Sequence, residues 1–173
     1  ELCEFLDKLG GAYLDTGESK GLVPDSHPAV VAAMRGKVMG DADVIVTVGR
    51  RLDFQLAYGS PSVFGSAKFV RIGDIPTEVR DNRRGDIEIN ANPAKTLEAI
   101  NGLIGDRKSS ADREWIKALR EKHEERAQRL SESMATAPSD TEGRIHPNRV
   151  LAELQKHIGE DGVVVADGGD FLA

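Results

Sequence analysis

Gly49, Arg50, Arg51 and Asp53 follow directly on the apolar run Val44–Val48. Such a set suits an anionic ligand. Glycine lets the backbone approach closely, an arginine offers a fixed fork of donors to a phosphate, and the carboxylate can accept a hydrogen bond from a sugar or a ring N–H. In an open parallel sheet, ligands collect beyond the carboxyl ends of the strands, where this turn falls. The turn has one glycine where a dinucleotide fingerprint has three, so the same residues also read as ordinary surface charges after a strand.

Two further strand ends bear on the same question. KFVRI (68–72) is followed by Gly73 and Asp74, and IEIN (87–90) by Ala91 and Asn92. An acidic residue at a strand end is the usual partner of a ribose hydroxyl. Asp74 comes one place late, and a shift of one residue reverses side-chain direction. Asn92 is neutral and exerts less electrostatic pull than a carboxylate. Elsewhere the chemistry is sparse. His27, His123, His146 and His157 stand in separate segments without metal-ligand spacing, and His27 and His146 each precede a proline. No serine, cysteine or lysine sits in an activated-nucleophile pattern. The residues by themselves predict a binding surface, with no catalytic residue and no metal ligand.

The elements that must position this surface alternate between strands and helices. Leu2, Phe5, Leu6 and Leu9 are spaced for a helix that Gly10 and Gly11 close. AYLDT (12–16) reads as a short strand and GESKGLVPDSHP as a turn-rich loop. AVVAAMRGKVMGD (29–41) reads as a short helix leading into the strand Val44–Val48. RLDFQLAYGSPSVFGS reads as mixed helix and loop, and PAKTLEAINGLI as a helix with Pro93 in its first turn. This order predicts a Rossmann-like α/β fold, a parallel sheet flanked by helices in three layers.

From about residue 106 the sequence becomes highly charged. Trp115, Leu119, Ala127, Leu130 and Met134 mark one stripe of a long surface helix, on which Glu125 and Arg129 are placed as an i,i+4 pair. ATAPSDTEG reads as a linker. RIHPNRVLAELQKHIGEDGVVVADGGD then starts again, with Pro147 at a helix start, the helix running to about Ile158, and VVVADGG as an apolar strand. The expected divisions are 1–105, 106–143 and 144–173.

With 173 residues, the chain has room for one domain and part of another. A net charge of −6 disfavours nucleic acid as a partner. The single cysteine, Cys3, points to a reducing, cytoplasmic setting. No apolar run is long enough to span a membrane. Both termini read as cut, so a fragment of a longer protein is expected.

Four motifs in order carry a resemblance: T-x-x-x-K-G-L-V-P-D-S-H-P (Thr16 to Pro28), ADVIVTVGRRLDF, GDIPTEVRDNRRGDIEINANP, and IHPNRVLAEL…VVVADGGD. Together they resemble the thiamine-diphosphate-dependent 2-oxo acid decarboxylase and acetolactate synthase family, including its oxalyl-CoA decarboxylase-like branch. The first hundred residues are similar to that family's central domain, and the last thirty to the start of its C-terminal, diphosphate-binding domain. The resemblance implies a parent enzyme, a carboligase or decarboxylase of 2-oxo acids, using thiamine diphosphate and Mg2+. Its partners would be its own remaining domains and further copies in a dimer or tetramer. The family's ylide-promoting glutamate and metal-binding G-D-G…N segment are not among these residues, which implies that this chain alone is inactive.

The resemblance also places Thr16, Arg51 and Asp53 along a groove that holds FAD in some relatives and ADP or CoA in others, and Gly49, Asp74 and Asn92, read from the strand ends, complete the candidate cofactor-binding set there. Gly73 stands where the family usually has aspartate, and Ala91-Asn92 where it has Gly-Asp. Gly169, Asp170 and Phe171 match the turn that contacts the thiamine diphosphate phosphates, where Asp170 departs from the pattern by adding a negative charge. The other reading is a non-catalytic α/β scaffold or a FAD-, ADP- or CoA-binding module. A deacetylase-like reading would need a histidine beside a glycine-rich nucleotide loop, and neither is present.

Overall fold

A computed structural model describes residues 1–16, 19–107, 109, 113–139, 141–159 and 162–165. The chain divides into two compact units, Glu1–His123 and Glu124–Ala173.

The first unit is built on a three-stranded parallel sheet of β1 (Val44–Val48), β2 (Lys68–Gly73) and β3 (Ile87–Asn90), in that order. Val46 faces Val70, and Ile72 faces Ile89. Five consecutive β-branched residues make β1, a composition that suits a strand in a covered parallel sheet. The two outer strands differ. Within the described sheet β1 pairs on one side only and carries no charge, whereas β3 carries Glu88, paired with Arg84 and Arg80.

Side chains alternate across β2. Phe69 and Arg71 share one face and are fully buried, while Val70 and Ile72 point to the other. On the first face Phe69 packs with Leu52, Leu56, Phe64 and Ala67, its ring meeting that of Phe64 edge-on at 5.3 Å. Met39 of α2 (Arg35–Asp41) and Val63 of α3 (Pro61–Phe64) close over this cluster. The short α4 (Pro76–Val79), which the sequence reading did not anticipate, follows β2 and buries Val79.

α1 (Leu2–Leu9) and α5 (Pro93–Ile104) pack together. Gly10 ends α1 with φ 66°, a conformation that glycine adopts without Cβ strain. Asn101 is buried in the contact and donates to the Glu1 carbonyl at 3.0 Å and the Glu4 carboxylate at 3.2 Å, while Lys8 donates to the Asn101 carbonyl at 2.8 Å.

Three expected elements differ. AYLDT is no strand, because Tyr13 makes only an isolated parallel bridge to Val30. Since Val30 is taken up in that bridge, the next helix cannot begin there. A 3-10 turn at Ala32–Met34 precedes α2, which starts only at Arg35. Val163–Val165 form no strand and are exposed; a strand needs a hydrogen-bonded neighbour, and none pairs with them among the described residues. The remainder of VVVADGG lies outside the described residues.

The charged helix α6 (Arg113–Thr136) begins in the first unit. There Leu119 is buried against Val31, Met34 and Val38, and Trp115 Nε1 donates to Asp41 at 3.3 Å. Arg120 donates to the carbonyls of Asp25, His27 and Val30, and His123 Nδ1 accepts the Ala33 N–H. The expected apolar stripe is therefore engaged at Trp115 and Leu119, whereas Ala127 and Leu130 are exposed. In the second unit Arg129 and Glu125 stand 3.9 Å apart, a screened surface pair. α7 (Pro147–Gln155) starts at His146, whose Nδ1 accepts the Asn148 N–H, and it ends three residues before the expected Ile158. Its Val150, Leu151 and Leu154 are exposed.

Candidate functional site

The parallel register brings the carboxyl ends of all three strands to one rim. Gly49, at φ 61°, turns the chain out of β1 while its N–H still donates to the Ile72 carbonyl at 2.8 Å. A Cβ built on Gly49 would lie 3.6 Å from the Pro93 ring, which places the start of α5 beside the turn. A cavity of about 80 Å³ opens at the ends of β1 and β2, lined by Thr47, Gly49, Arg50, Arg71, Gly73, Asp74, Glu78 and their apolar neighbours. Pockets that enclose a drug-sized ligand measure roughly 300–1,000 Å³, so this one accepts a small group, and a larger ligand would lie across the rim.

The floor of the cavity is Arg71. A buried guanidinium must have its donors met, and here they are. Nε donates to Thr47 Oγ1 at 3.0 Å, Nη1 to the Arg83 carbonyl at 2.7 Å, and Nη2 to the Glu78 carbonyl at 2.7 Å and Asp81 Oδ1 at 2.8 Å. The other oxygen of Asp81 accepts the Leu52 N–H at 3.0 Å, and Asn82 Nδ2 donates to the Leu52 carbonyl at 2.8 Å. Arg83 donates to the carbonyls of Gly59 and Ala67 and lies over the Phe69 ring at 4.2 Å. One arginine in a strand thus ties the 78–83 loop to the sheet, and that loop in turn holds the segment after β1.

The rim residues are used unequally. Arg50 Nη2 donates to Asp53 Oδ1 at 2.9 Å and to Gln55 Oε1 at 2.7 Å, while its Nε is buried with no partner among the described residues. Arg51 is 58% exposed and reaches Asp53 at 3.4 Å. Asp53 was expected to accept from a ligand, but it is occupied within the fold. It caps the 3-10 turn Phe54–Gly59 by accepting the Gln55 N–H and it pairs with both arginines. Partial burial works to raise its pKa, but the Gln55 N–H and the two cations prevail and hold it below the usual carboxylate range.

Asp74 is exposed and lines the cavity. A Cβ at Gly73 would come within 3.0 Å of Val79 Cγ2, so a side chain there requires Val79 to move. Asn92 caps α5 through the Lys95 N–H at 3.1 Å, which commits its side-chain oxygen to the helix. Thr16 does not line the cavity. It belongs to a segment tied to the rim by Arg35, which donates to the Asp15 and Gln55 carbonyls at 3.3 and 3.1 Å. The structure therefore joins Gly49 and Asp74 at the cavity, with Arg51 and Asp53 one step outside and Asn92 turned to structural use. Gly169, Asp170 and Phe171 lie outside the described residues.

Sequence reasoning missed Arg71 and the role of the 78–83 loop. An arginine inside KFVRI, flanked by apolar residues on a strand with no solvent face, was the signal available. Among the described residues, no group of three or more His, Cys, Asp or Glu side chains is placed to hold a metal, and no helix is long and apolar enough to cross a membrane.

The family described as thiamine pyrophosphate enzyme, central domain, matches residues 1–100. Over 99% of its length the chain is 27% identical to 2-hydroxyacyl-CoA lyase 2 of Caenorhabditis elegans, covering 27% of that protein. Over 91% of its length it is 32% identical to the acetolactate synthase large subunit IlvG of Mycobacterium tuberculosis, covering 27% of it. Over 79% it is 25% identical to oxalyl-CoA decarboxylase of Escherichia coli, covering 24% of that protein. The chain spans about a quarter of the length of these relatives.

Proposed function

The chain belongs to the thiamine pyrophosphate enzyme family, whose central domain it carries, and from this premise we propose that it is the middle layer of a thiamine-diphosphate-dependent carboligase or decarboxylase of 2-oxo acids, of acetolactate synthase type. The family match over residues 1–100 is the observation that carries this reading. In this proposal 1–105 is the central domain, 106–143 the connecting helix and loop, and 144–173 the start of the diphosphate-binding domain. The partners are the remaining domains of the same polypeptide and further copies of it.

Thiamine diphosphate, when bound with Mg2+, supplies the electron sink for a carbanion next to the former carbonyl carbon. The residues assigned to it by resemblance lie outside the described ones, so the contribution derived for this chain is structural. Arg71 and the loop it holds keep the rim of the sheet rigid, and Arg50 and Arg51 present positive charge there. A nucleotide-bearing group, FAD, ADP or the nucleotide end of a coenzyme A thioester, would lie across this rim with its phosphates toward Arg51. The groove favours phosphate over ribose, because position 73 offers no carboxylate and Asn92 is engaged as a helix cap.

Similarity to a 2-hydroxyacyl-CoA lyase along 99% of the chain favours a second reading, in which the parent cleaves an acyl-CoA substrate. One pair of assays separates the two. With thiamine diphosphate and Mg2+, the full-length polypeptide is expected to form acetolactate from pyruvate; cleavage of a 2-hydroxyacyl-CoA with no acetolactate formed would replace the first reading by the second. Residues 1–173 alone are expected to release no carbon dioxide from pyruvate above background, and turnover by them would refute the assignment of a structural role.

A further inference from the structure

The motif that runs from Thr16 to Pro28 contributes nothing to the lining of the cavity. Its second half is a tight turn, in which the His27 N–H donates to the Pro24 carbonyl at 2.9 Å and the Val30 N–H to the His27 carbonyl at 3.0 Å. Val23 and Val30 sink into a cluster with Leu6 and Ala29, whereas Lys20 is exposed and Leu22 is 63% exposed. A turn pressed against a core must pair its carbonyls. Arg120 of α6 supplies a donor from 90 residues further along the chain. Its Nη1 stands where three carbonyls converge, at 3.2 Å from those of Asp25 and His27 and 2.9 Å from that of Val30.

Arg120 does not act alone on its helix. Trp115, Leu119 and His123 follow one another at intervals of four residues, a spacing that stacks side chains along one face. In turn they meet Asp41, the cluster of Val31, Met34 and Val38, and the Ala33 N–H. All of these residues belong to the first unit. Arg120 and His123 meet main-chain groups of 25–33, which converge only while the turn is formed. The grip is nevertheless light. It buries one leucine completely and leaves Trp115 and Arg120 partly exposed, while the sheet is held by two hydrogen-bonded ladders and the cluster around Phe69. Elements with few buried contacts open on their own, at less cost than unfolding the whole domain.

We propose that residues 115–123 of α6 are a releasable strap over the 24–30 turn, with Arg120 as its clasp. While the strap is seated, the turn is fixed and Lys20–Leu22 is displayed from it in one conformation. When it lifts, the three carbonyls lose their common donor, the turn loosens, and the bond after Lys20 comes within reach of a protease. The order of the Thr16–Pro28 motif then depends on α6 and is independent of the sheet.

Hydrogen exchange followed by NMR on the whole chain tests this. In the unaltered chain the His27 and Val30 amides are expected to share one protection factor with the amides of residues 119–123, at least about tenfold below those of β2. Arg120→Ala is expected to lower protection at His27 and Val30 by about tenfold and to speed tryptic cleavage after Lys20. Trp115→Ala, at the end of the strap that bonds to Asp41, is expected to do the same about fivefold. Ile72→Val in the sheet is expected to lower the protection of β2 roughly fivefold and to leave His27 and Val30 as they were. If Ile72→Val moves the turn amides as much as those of β2, the turn opens only with the whole fold and the strap is refuted. Unchanged protection at His27 and Val30 in Arg120→Ala refutes the clasp, and in Trp115→Ala it refutes the strap as a unit.

Discussion

The two segments at the rim of the sheet solve opposite problems. Between residues 78 and 88 the donors and acceptors are turned inward: Arg71 takes the Glu78 and Arg83 carbonyls and the Asp81 carboxylate, Arg83 takes Gly59 and Ala67, and Glu88 holds Arg84. Between residues 49 and 59 the backbone is equally fixed, yet Arg50 keeps a buried Nε with no partner among the described residues, Arg51 is half exposed and two aromatic rings face outward. The first segment is a support and the second a display surface; two left-handed non-glycine residues, Ala57 and Tyr58, lie in the display surface and one, Asn82, in the support. A support can be optimised for contacts it makes within the fold. A display surface must leave some of its contacts unmade.

The largest effect that tests this contrast belongs to the support. Arg71→Met is expected to lower stability by about 3–5 kcal/mol in urea unfolding, because it strands Asp81 and three carbonyl or hydroxyl acceptors around the cavity floor. A loss below 1 kcal/mol would show that the network is ornamental and the contrast empty. Next comes Gly59→Ala, where both segments meet. The new Cβ would lie 2.8 Å from Leu52 Cδ1 and 2.9 Å from Arg83 Cβ, in a left-handed backbone, at an expected cost of about 2–3 kcal/mol. In the display surface the sign reverses. Ala57→Gly removes strain at φ 46° and is expected to stabilise by up to about 1 kcal/mol, while Phe54→Ala is expected to change stability by less than about 0.5 kcal/mol. Destabilisation by either would mean that this loop also serves the core.

A pH series sharpens the same comparison. The Arg84 guanidinium first, then the Gly85 N–H and the Arg80 charge, hold the Glu88 carboxyl down at about 2 against desolvation. A folded pKa below the unfolded one means stability that is present above the unfolded value of about 4.3 and lost as pH falls through about 2. The unfolding midpoint is therefore expected to drop between those values, and Glu88→Gln is expected to flatten that drop. An unchanged slope in the variant would remove Glu88 from the support.

Much of the fold was legible. β3 and α5 have the bounds read from periodicity and turn chemistry, and β1 and β2 differ from that reading by no more than one residue, because short β-branched runs and a proline-led amphipathic helix declare themselves locally. The candidate site was legible at Gly49 and Asp74, which follow strand ends, and less so elsewhere. Asp53 and Asn92 have the right chemistry for a ligand but also the right chemistry for capping, and sequence alone does not say which use prevails. Arg71 was hidden because two of its acceptors are the Glu78 and Arg83 main-chain carbonyls, which no side-chain pattern records, and the other two, Thr47 and Asp81, reach it only through the fold. The left-handed run at residues 57–59 was hidden for a similar reason, since only its last residue is a glycine.

The uncharged outer edge of β1 has a practical consequence. Among the described residues no strand pairs with the far side of β1, so its five β-branched residues form an adhesive margin, whereas β3 carries the ion-paired Glu88. Preparations of residues 1–173 should thus scatter more light as they are concentrated, and a lysine in place of the exposed Val44 should keep them clear.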